Sequence, residues 1–256
     1  MVPAAMAVTA SLALLQAYAS FDNGKGETFP FTVKVVRAAS PGATVMVSHG
    51  GSCRTAQEEA WAERFWQWGY NAVIIDHCSA RDLKPHTGVE PPPLLPPERV
   101  NDAIALAEWI KVQPWHNGKV ALFGISRGGE AVLRASDPRL NRVRRGMEGL
   151  EEIDVYVALY PACSVLPRAP RAPLLILHGE DDNLASFKRC EYSSLNHANL
   201  TIKTYPGAFH TFDVPGDDIV GSNPFLGSYV VRRYNASAAT KSFSDTRQFL
   251  DTHLKP

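Results

Sequence analysis

The chain carries no excess of charge: 26 lysines and arginines face 26 aspartates and glutamates in 256 residues. That balance argues against the basic footprint with which a nucleic-acid-binding domain neutralises phosphates. The one basic cluster, Arg139 to Arg145, is followed closely by Glu148, Glu151, Glu152 and Asp154, so it reads as a solvated, internally paired face. Cysteine is scarce, with four residues and no CxxC or Cys/His spacing of the kind that holds zinc. An even count fits disulfides in an oxidising compartment, and four buried thiols fit the count equally well. Cys163 and Cys190 follow successive predicted strands, which makes them candidate neighbours. A long apolar run is also missing. Met1 to Ala19 is uncharged, but Thr9, Ser11 and Gln16 interrupt it, so no membrane span is expected. Ala17-Tyr18-Ala19 has the small-x-small spacing of a signal-peptidase site, without a basic region ahead of it. We expect residues 1–20 to be a signal-like or N-terminal segment and residues 21–256 a single domain. A periplasmic or secreted location is favoured over a cytoplasmic one. The rival reading is an N-terminal segment that packs on the domain.

What is present is alternation. Apolar runs at Phe31 to Arg37, Ala43 to Ser48, Asn71 to Asp76, Lys119 to Gly124, Ile153 to Tyr160, Leu174 to His178 and Leu200 to Tyr205 read as strands. Helical spacing occupies Thr55 to Trp68, Glu98 to Val112, Arg127 to Ala135, Leu184 to Asn196 and Asn235 to Leu254. Strand and helix in turn, with nearly continuous apolar strands, predict a mostly parallel central sheet with helices on both faces. Ligands of such sheets bind at the carboxyl ends of the strands. A proline-rich loop from Lys84 to Pro97 is too long for a plain connection and suits a binding or shielding role.

The chemistry falls on those strand ends. Gly124-Ile125-Ser126-Arg127-Gly128 follows Val120-Ala121-Leu122-Phe123 and opens a helix. A serine needs a base to take its proton and a tight turn to present it. Ser126 is the candidate nucleophile. His210, just after the last predicted strand, is the candidate base. His49 and His178 stand before glycines and read as turn-shaping residues. His77, His86, His116, His197 and His253 read as surface or loop residues. The orienting acid is one of Glu180, Asp181 and Asp182, directly after Leu174 to Leu177. The oxyanion donors are expected from the backbone N–H groups of Arg127 and of Gly51, with Ser52 the alternative to Gly51.

These segments together resemble the dienelactone hydrolase family of the α/β-hydrolases. Val47 to Gly51, Ala62 to Tyr70, Gln113-Pro114-Trp115, Gly124 to Gly129, His178 to Asp182 and Phe209 to Phe212 carry the resemblance, in order, from about Thr44 to the C-terminus. It implies the α/β-hydrolase fold, and an acid three residues beyond Gly179, at Asp182. It implies no cofactor and no metal. The family's namesakes use a cysteine nucleophile where this chain has Ser126, which favours general ester hydrolysis over dienelactone. They also hold a substrate carboxylate with arginine, a part for which Arg81 is the candidate; pairing with Asp82 or Glu90 is the alternative. The expected activity is cleavage of a small or medium carboxylic ester through an acyl-enzyme. A second resemblance, of Gly124 to Glu130 to acyl-CoA thioesterases and acyltransferases, would need a basic entrance from Arg142, Arg144, Arg145, Lys188 or Arg189. A non-catalytic binding protein is the remaining alternative. The expected partner is a small-molecule ester.

Overall fold

A computed structural model of the chain describes residues 17–22, 28–38, 41–81, 83, 96–139, 153–191, 197–223 and 228–255. Ten strands and five α-helices lie in these segments. The strands are β1 (Ala17–Asp22), β2 (Thr28–Val36), β3 (Gly42–Ser48), β4 (Asn71–Ile75), β5 (His116–Ile125), β6 (Val155–Leu159), β7 (Leu174–Gly179), β8 (Leu200–Tyr205), β9 (Asp218–Asn223) and β10 (Ser228–Arg233). The helices are α1 (Ala56–Gln67), α2 (Pro96–Lys111), α3 (Arg127–Ser136), α4 (Lys188–Glu191) and α5 (Ala236–Leu254).

Eight strands form one sheet in the order β1-β2-β4-β3-β5-β6-β7-β8. The six from β4 to β8 run parallel, while β1 and β2 add an antiparallel edge. Strands β4, β6 and β7 are buried throughout, which is why they read as unbroken apolar runs rather than as alternation, while the edge strand β8 is only partly buried. Successive side chains still part to opposite layers. Met46, Leu122, Tyr156 and Ile176 pack with Val100, Ala107 and Ile110 of α2 and with Val132 of α3. Val47, Phe123, Val157 and Leu177 pack on the other face with Trp61 and Phe65 of α1 and with Leu250 of α5.

Local signals set the helix ends. Thr55 caps α1 in a capping box with Glu58, and Asn235 caps α5 through the Ala238 N–H. Helix α2 begins at Pro96, two residues before the expected start. Proline lacks only an N–H that the first turn leaves unpaired anyway. The helix expected over Leu184 to Asn196 is a correction. Residues 183–187 form turns, and α4 spans only Lys188–Glu191, with 192–196 outside the described residues. The Asp182 side chain accepts the Leu184 and Ala185 N–H groups and so closes a turn directly after β7.

Ala17-Tyr18-Ala19 lies in β1, paired with Val33, Thr32 and Phe31 of β2. Residues 1–16 and most of the Lys84–Pro97 loop lie outside the described residues, as do Arg142, Arg144 and Arg145. Among the described residues, no helix is long and apolar enough to cross a membrane.

The four cysteines pair as Cys53–Cys78 and Cys163–Cys190, with Cα atoms 5.9 and 5.2 Å apart. Each bridge closes a loop, with sequence separations of 25 and 27. Loops of that size are worth about 3 kcal/mol each in chain entropy. Cys53–Cys78 joins the loop after β3 to the segment after β4 at the carboxyl edge of the sheet.

Candidate active site

Parallel register gathers the ends of β3, β5, β6, β7 and β8 at one edge. Ser48 faces Gly124, Ile125 faces Leu159, and Gly179 faces Tyr205. The turn after β5 holds Ser126 at φ 52° and ψ −109°, a left-handed backbone that a non-glycine residue adopts only when its surroundings impose it. The surroundings are hydrogen bonds on both sides: Ser126 N–H donates to Leu159 O at 2.9 Å, and Glu130 N–H donates to Ser126 O at 2.9 Å. The flanking glycines are required sterically. A Cβ on Gly124 would come 2.8 Å from the Gly129 nitrogen and nearer still to the Gly128 carbonyl; one on Gly128 would lie 2.8 Å from His49 O. A side chain at either position would push α3 off the sheet.

His210 Nε2 lies 3.1 Å from Ser126 Oγ, and His210 Nδ1 lies 2.7 Å from Asp182 Oδ2. Asp182 can only accept when ionised, so Nδ1–H donates to it and Nε2 presents its lone pair to the serine hydroxyl. Of the three acids in the turn, Asp182 is the buried one; Glu180 and Asp181 are exposed, and Glu180 accepts from Thr204 Oγ1. Burial pushes the Asp182 carboxyl up, but the His210 ring and the Ala185 N–H outweigh it and hold the carboxyl below its ordinary range. The acid therefore stays charged. Ser126 is half-buried while His210 and Asp182 are buried, so the relay opens to solvent at its serine end.

The His210 ring is itself held. Tyr160 meets it edge-on with centroids 4.5 Å apart. The Tyr160 hydroxyl donates to Asp213 Oδ1 at 2.8 Å, and Asp213 also accepts from Trp61 Nε1 at 2.8 Å and from Gln57 Nε2. Burial, with Asp213 beside it, pushes the Tyr160 phenol well above its ordinary range, so it remains a donor.

The candidate oxyanion donors lie on either side of the serine. Arg127 is the first residue of α3, where N–H groups have no intrahelical partner. Gly50 is close enough to Ser126 that a Cβ built on it would lie 3.9 Å from the serine Cβ. The Gly50 N–H donates to Glu58 Oε1 at 3.3 Å, whereas among the described residues no acceptor meets the Gly51 N–H.

Among the described residues, Arg81 pairs with Asp102 of α2. Its Nη1 and Nη2 meet Asp102 Oδ2 and Oδ1 at 3.0 and 2.8 Å, and Nη1 also donates to His77 O. Asp82 and Glu90, the expected alternatives, lie outside the described residues. The guanidinium is drawn inward because Asp102, wholly buried on α2, needs a countercharge. His77, read as a surface or loop residue, lies in the turn after β4 but is wholly buried. Its Nδ1 lies 2.6 Å from Asp102 Oδ2 and its Nε2 2.9 Å from Ser48 Oγ. Arg99 is likewise buried, against His49 O and Gly50 O. One signal for these residues exists in the sequence: Arg99 and Asp102 fall on the same stripe of α2 as Ala103, Leu106 and Ile110, where charge has no place unless it is paired.

The model of the dienelactone hydrolase family matches residues 93–254, well over half of the chain. The chain belongs to the dienelactone hydrolase family. It is accordingly a hydrolase. A model for X-Pro dipeptidyl-peptidases of the S15 family also matches, over residues 31–147. Solved structures of the same fold include a dienelactone hydrolase-like promiscuous phosphotriesterase from metagenomic libraries, 16% identical with TM-score 0.65, covering 93% of this chain and 98% of that one. Dienelactone hydrolase from Anabaena variabilis is 18% identical with TM-score 0.60, covering 94% of this chain and 99% of its own. Thermogutta terrifontis esterase 2, solved phosphorylated by paraoxon, is 17% identical with TM-score 0.59, covering 89% and 91%. No curated protein matches the chain.

Proposed function

We propose that this family member hydrolyses small or medium carboxylic esters through an acyl-Ser126 intermediate. The observation that carries the reading is the relay Ser126 Oγ–His210 Nε2–Asp182, at 3.1 and 2.7 Å, on a strained turn that opens a helix. His210 Nε2 takes the hydroxyl proton as Ser126 Oγ attacks the ester carbonyl carbon. The carbonyl oxygen becomes an oxyanion held by the N–H groups of Arg127 and Gly51, with the N-terminal end of α3 adding its dipole. Collapse breaks the bond to the alkoxy oxygen, which leaves as the alcohol with the proton from His210. Water then repeats the sequence: His210 takes its proton, the hydroxyl adds to the acyl carbon, and Ser126 Oγ leaves reprotonated.

The thioester reading has less support. It draws on Arg142, Arg144 and Arg145, which lie outside the described residues, or on Lys188 and Arg189 of α4. The two disulfides support an exported enzyme, because such bonds persist in oxidising compartments. The reading is tested by assaying p-nitrophenyl esters of graded acyl length beside acetyl-CoA. Preference for the esters, abolished in Ser126→Ala, is expected. Equal or faster thioester turnover would overturn the ester assignment.

A further inference from the structure

We infer that Arg99 and His49 are positioning residues that fix which way the Gly50–Gly51 peptide faces, and so aim the Gly51 N–H at the reacting carbonyl. The inference rests on the ester-hydrolysis reading above. The carbonyl of Gly50 and the N–H of Gly51 belong to one planar trans peptide group, so they point in opposite directions. Whatever holds the carbonyl therefore sets the N–H. Two donors hold it: His49 Nδ1 at 2.8 Å and Arg99 Nη2 at 3.1 Å. Arg99 Nη1 binds the preceding carbonyl, His49 O, at 2.7 Å, so one planar guanidinium spans two successive peptides.

The tautomer of His49 is settled by its other nitrogen. The His77 backbone N–H donates to His49 Nε2 at 3.2 Å, and a backbone N–H can only donate. Arg99 Nη1 also lies 3.3 Å from Nδ1, but it donates to His49 O at the shorter 2.7 Å, so Nε2 carries the lone pair and Nδ1 the proton, as the contact to Gly50 O requires. Burial, reinforced by the Arg99 charge, holds the His49 ring well below its ordinary pKa and keeps it neutral. Flipping the Gly50–Gly51 peptide would break both bonds and turn its N–H toward a guanidinium that offers no acceptor. The Gly50 N–H is already committed to Glu58, whereas among the described residues no acceptor meets the Gly51 N–H, so it is available to serve as a donor on this loop beside Ser126. Arg99 accepts a price for this position: it is buried, and among the described residues its Nε has no hydrogen-bond partner and no carboxylate binds it directly.

The test is Arg99→Met and Arg99→Lys, with ester kinetics and inhibition by phenylboronic acid, whose serine adduct places an oxygen in the oxyanion position. Losing an oxyanion donor outright costs about 100- to 1,000-fold in kcat. A donor freed to turn should cost Arg99→Met about 10- to 100-fold in kcat, with KM changed by no more than about threefold. The boronate inhibition constant should rise with the loss in kcat, and Arg99→Lys should recover part of both. A folded Arg99→Met enzyme with kcat and boronate affinity within about twofold of the parent would overturn the inference. Should Arg99→Met not fold, His49→Asn against His49→Leu gives the same contrast, because the asparagine amide stands where Nδ1–H does. Better turnover and boronate binding in His49→Asn is expected, and equal values would count against the inference. Ser126→Ala assayed alongside separates the two failures. If it is inactive while Arg99→Met is normal, only the positioning role falls. If it is active, the ester-hydrolysis reading falls with it.

Discussion

Two Ser–His–Asp relays lie side by side on the carboxyl edge of this sheet. One joins Ser126, His210 and Asp182 at 3.1 and 2.7 Å; the other joins Ser48, His77 and Asp102 at 2.9 and 2.6 Å. Judged by residue types and distances they are the same object, yet their surroundings differ at every point that chemistry needs. Ser48 ends a strand in ordinary extended geometry and is 1% exposed, so no substrate can reach it. Ser126 is half-buried, sits at positive φ and opens a helix. The acids differ too. Asp182 is held below its ordinary range by His210 and backbone donors, whereas burial pushes Asp102 up to about 6 despite Arg81 beside it. A serine–histidine–aspartate chain is thus a local hydrogen-bonding solution that a protein can use to satisfy buried polar groups. It becomes a catalytic proposal only with access, a presenting turn and donors for a developing oxyanion.

Substitutions can break this contrast in a graded way. The largest effect is expected in the relay of Ser126, which opens to solvent only at its serine: Ser126→Ala and Asp182→Asn should each lower kcat by about 10,000-fold or more while leaving the thermal midpoint near that of the parent. A small kcat loss in either, measured with p-nitrophenyl esters, would dissolve the distinction. In the buried relay the loss should appear in stability instead. Arg81→Met strips Asp102 of its countercharge and should cost about 3–5 kcal/mol by urea denaturation. Ser48→Ala leaves the buried His77 Nε2 without a donor and should cost about 1–3 kcal/mol, with kcat unchanged to within about threefold. A collapse of kcat in a well-folded Ser48→Ala enzyme would make that serine more than structural.

The smallest effect is one of pH. Burial holds His49, His77 and His178 below the ordinary 6.5, so the folded chain keeps them neutral while the unfolded chain takes up protons. Their contribution is fully present above pH 6.5 and is lost as pH falls below it, at up to about 1.4 kcal/mol per pH unit for each ring. Asp102 opposes this. With its carboxyl raised from 3.8 to about 6, the folded state binds the proton more tightly and gains stability as pH falls through that interval. Burial also raises Glu58, which opposes in the same sense, and lowers His116 and His253, so five rings against two acids leave a net loss. The urea midpoint should be lower at about pH 5.5 than at about pH 7.5, and a flat or rising midpoint toward acid would show that the rings are protonated in the folded state.

The relay of Ser126 was legible in the sequence because each member sits beside a strand signal. Ser126 follows an apolar run into a glycine turn, Asp182 follows Leu174 to Leu177, and His210 follows the last parallel strand. The buried relay was not, because Ser48, His77 and Asp102 come from a strand end, a turn and a helix, and only the folded register shows that they meet. The parallel sheet was legible from apolar runs. The hairpin of β9 and β10 was not: its polar, glycine and exposed apolar residues, such as Val220 at 59% and Tyr229 at 70%, follow no burial pattern. Edge strand β1 escaped for a related reason, since Ala17-Tyr18-Ala19 also fits a cleavage signal, and pairing with β2 is a long-range event that no local pattern records.

The central claim, that Ser126 is the reactive serine and Ser48 a structural one, is tested most directly with a fluorophosphonate probe followed by peptide mass spectrometry. One adduct on the peptide carrying Ser126, with Ser48 unmodified and no labelling of Ser126→Ala, is the predicted result. An adduct on another serine, or ester turnover persisting in Ser126→Ala, would contradict it.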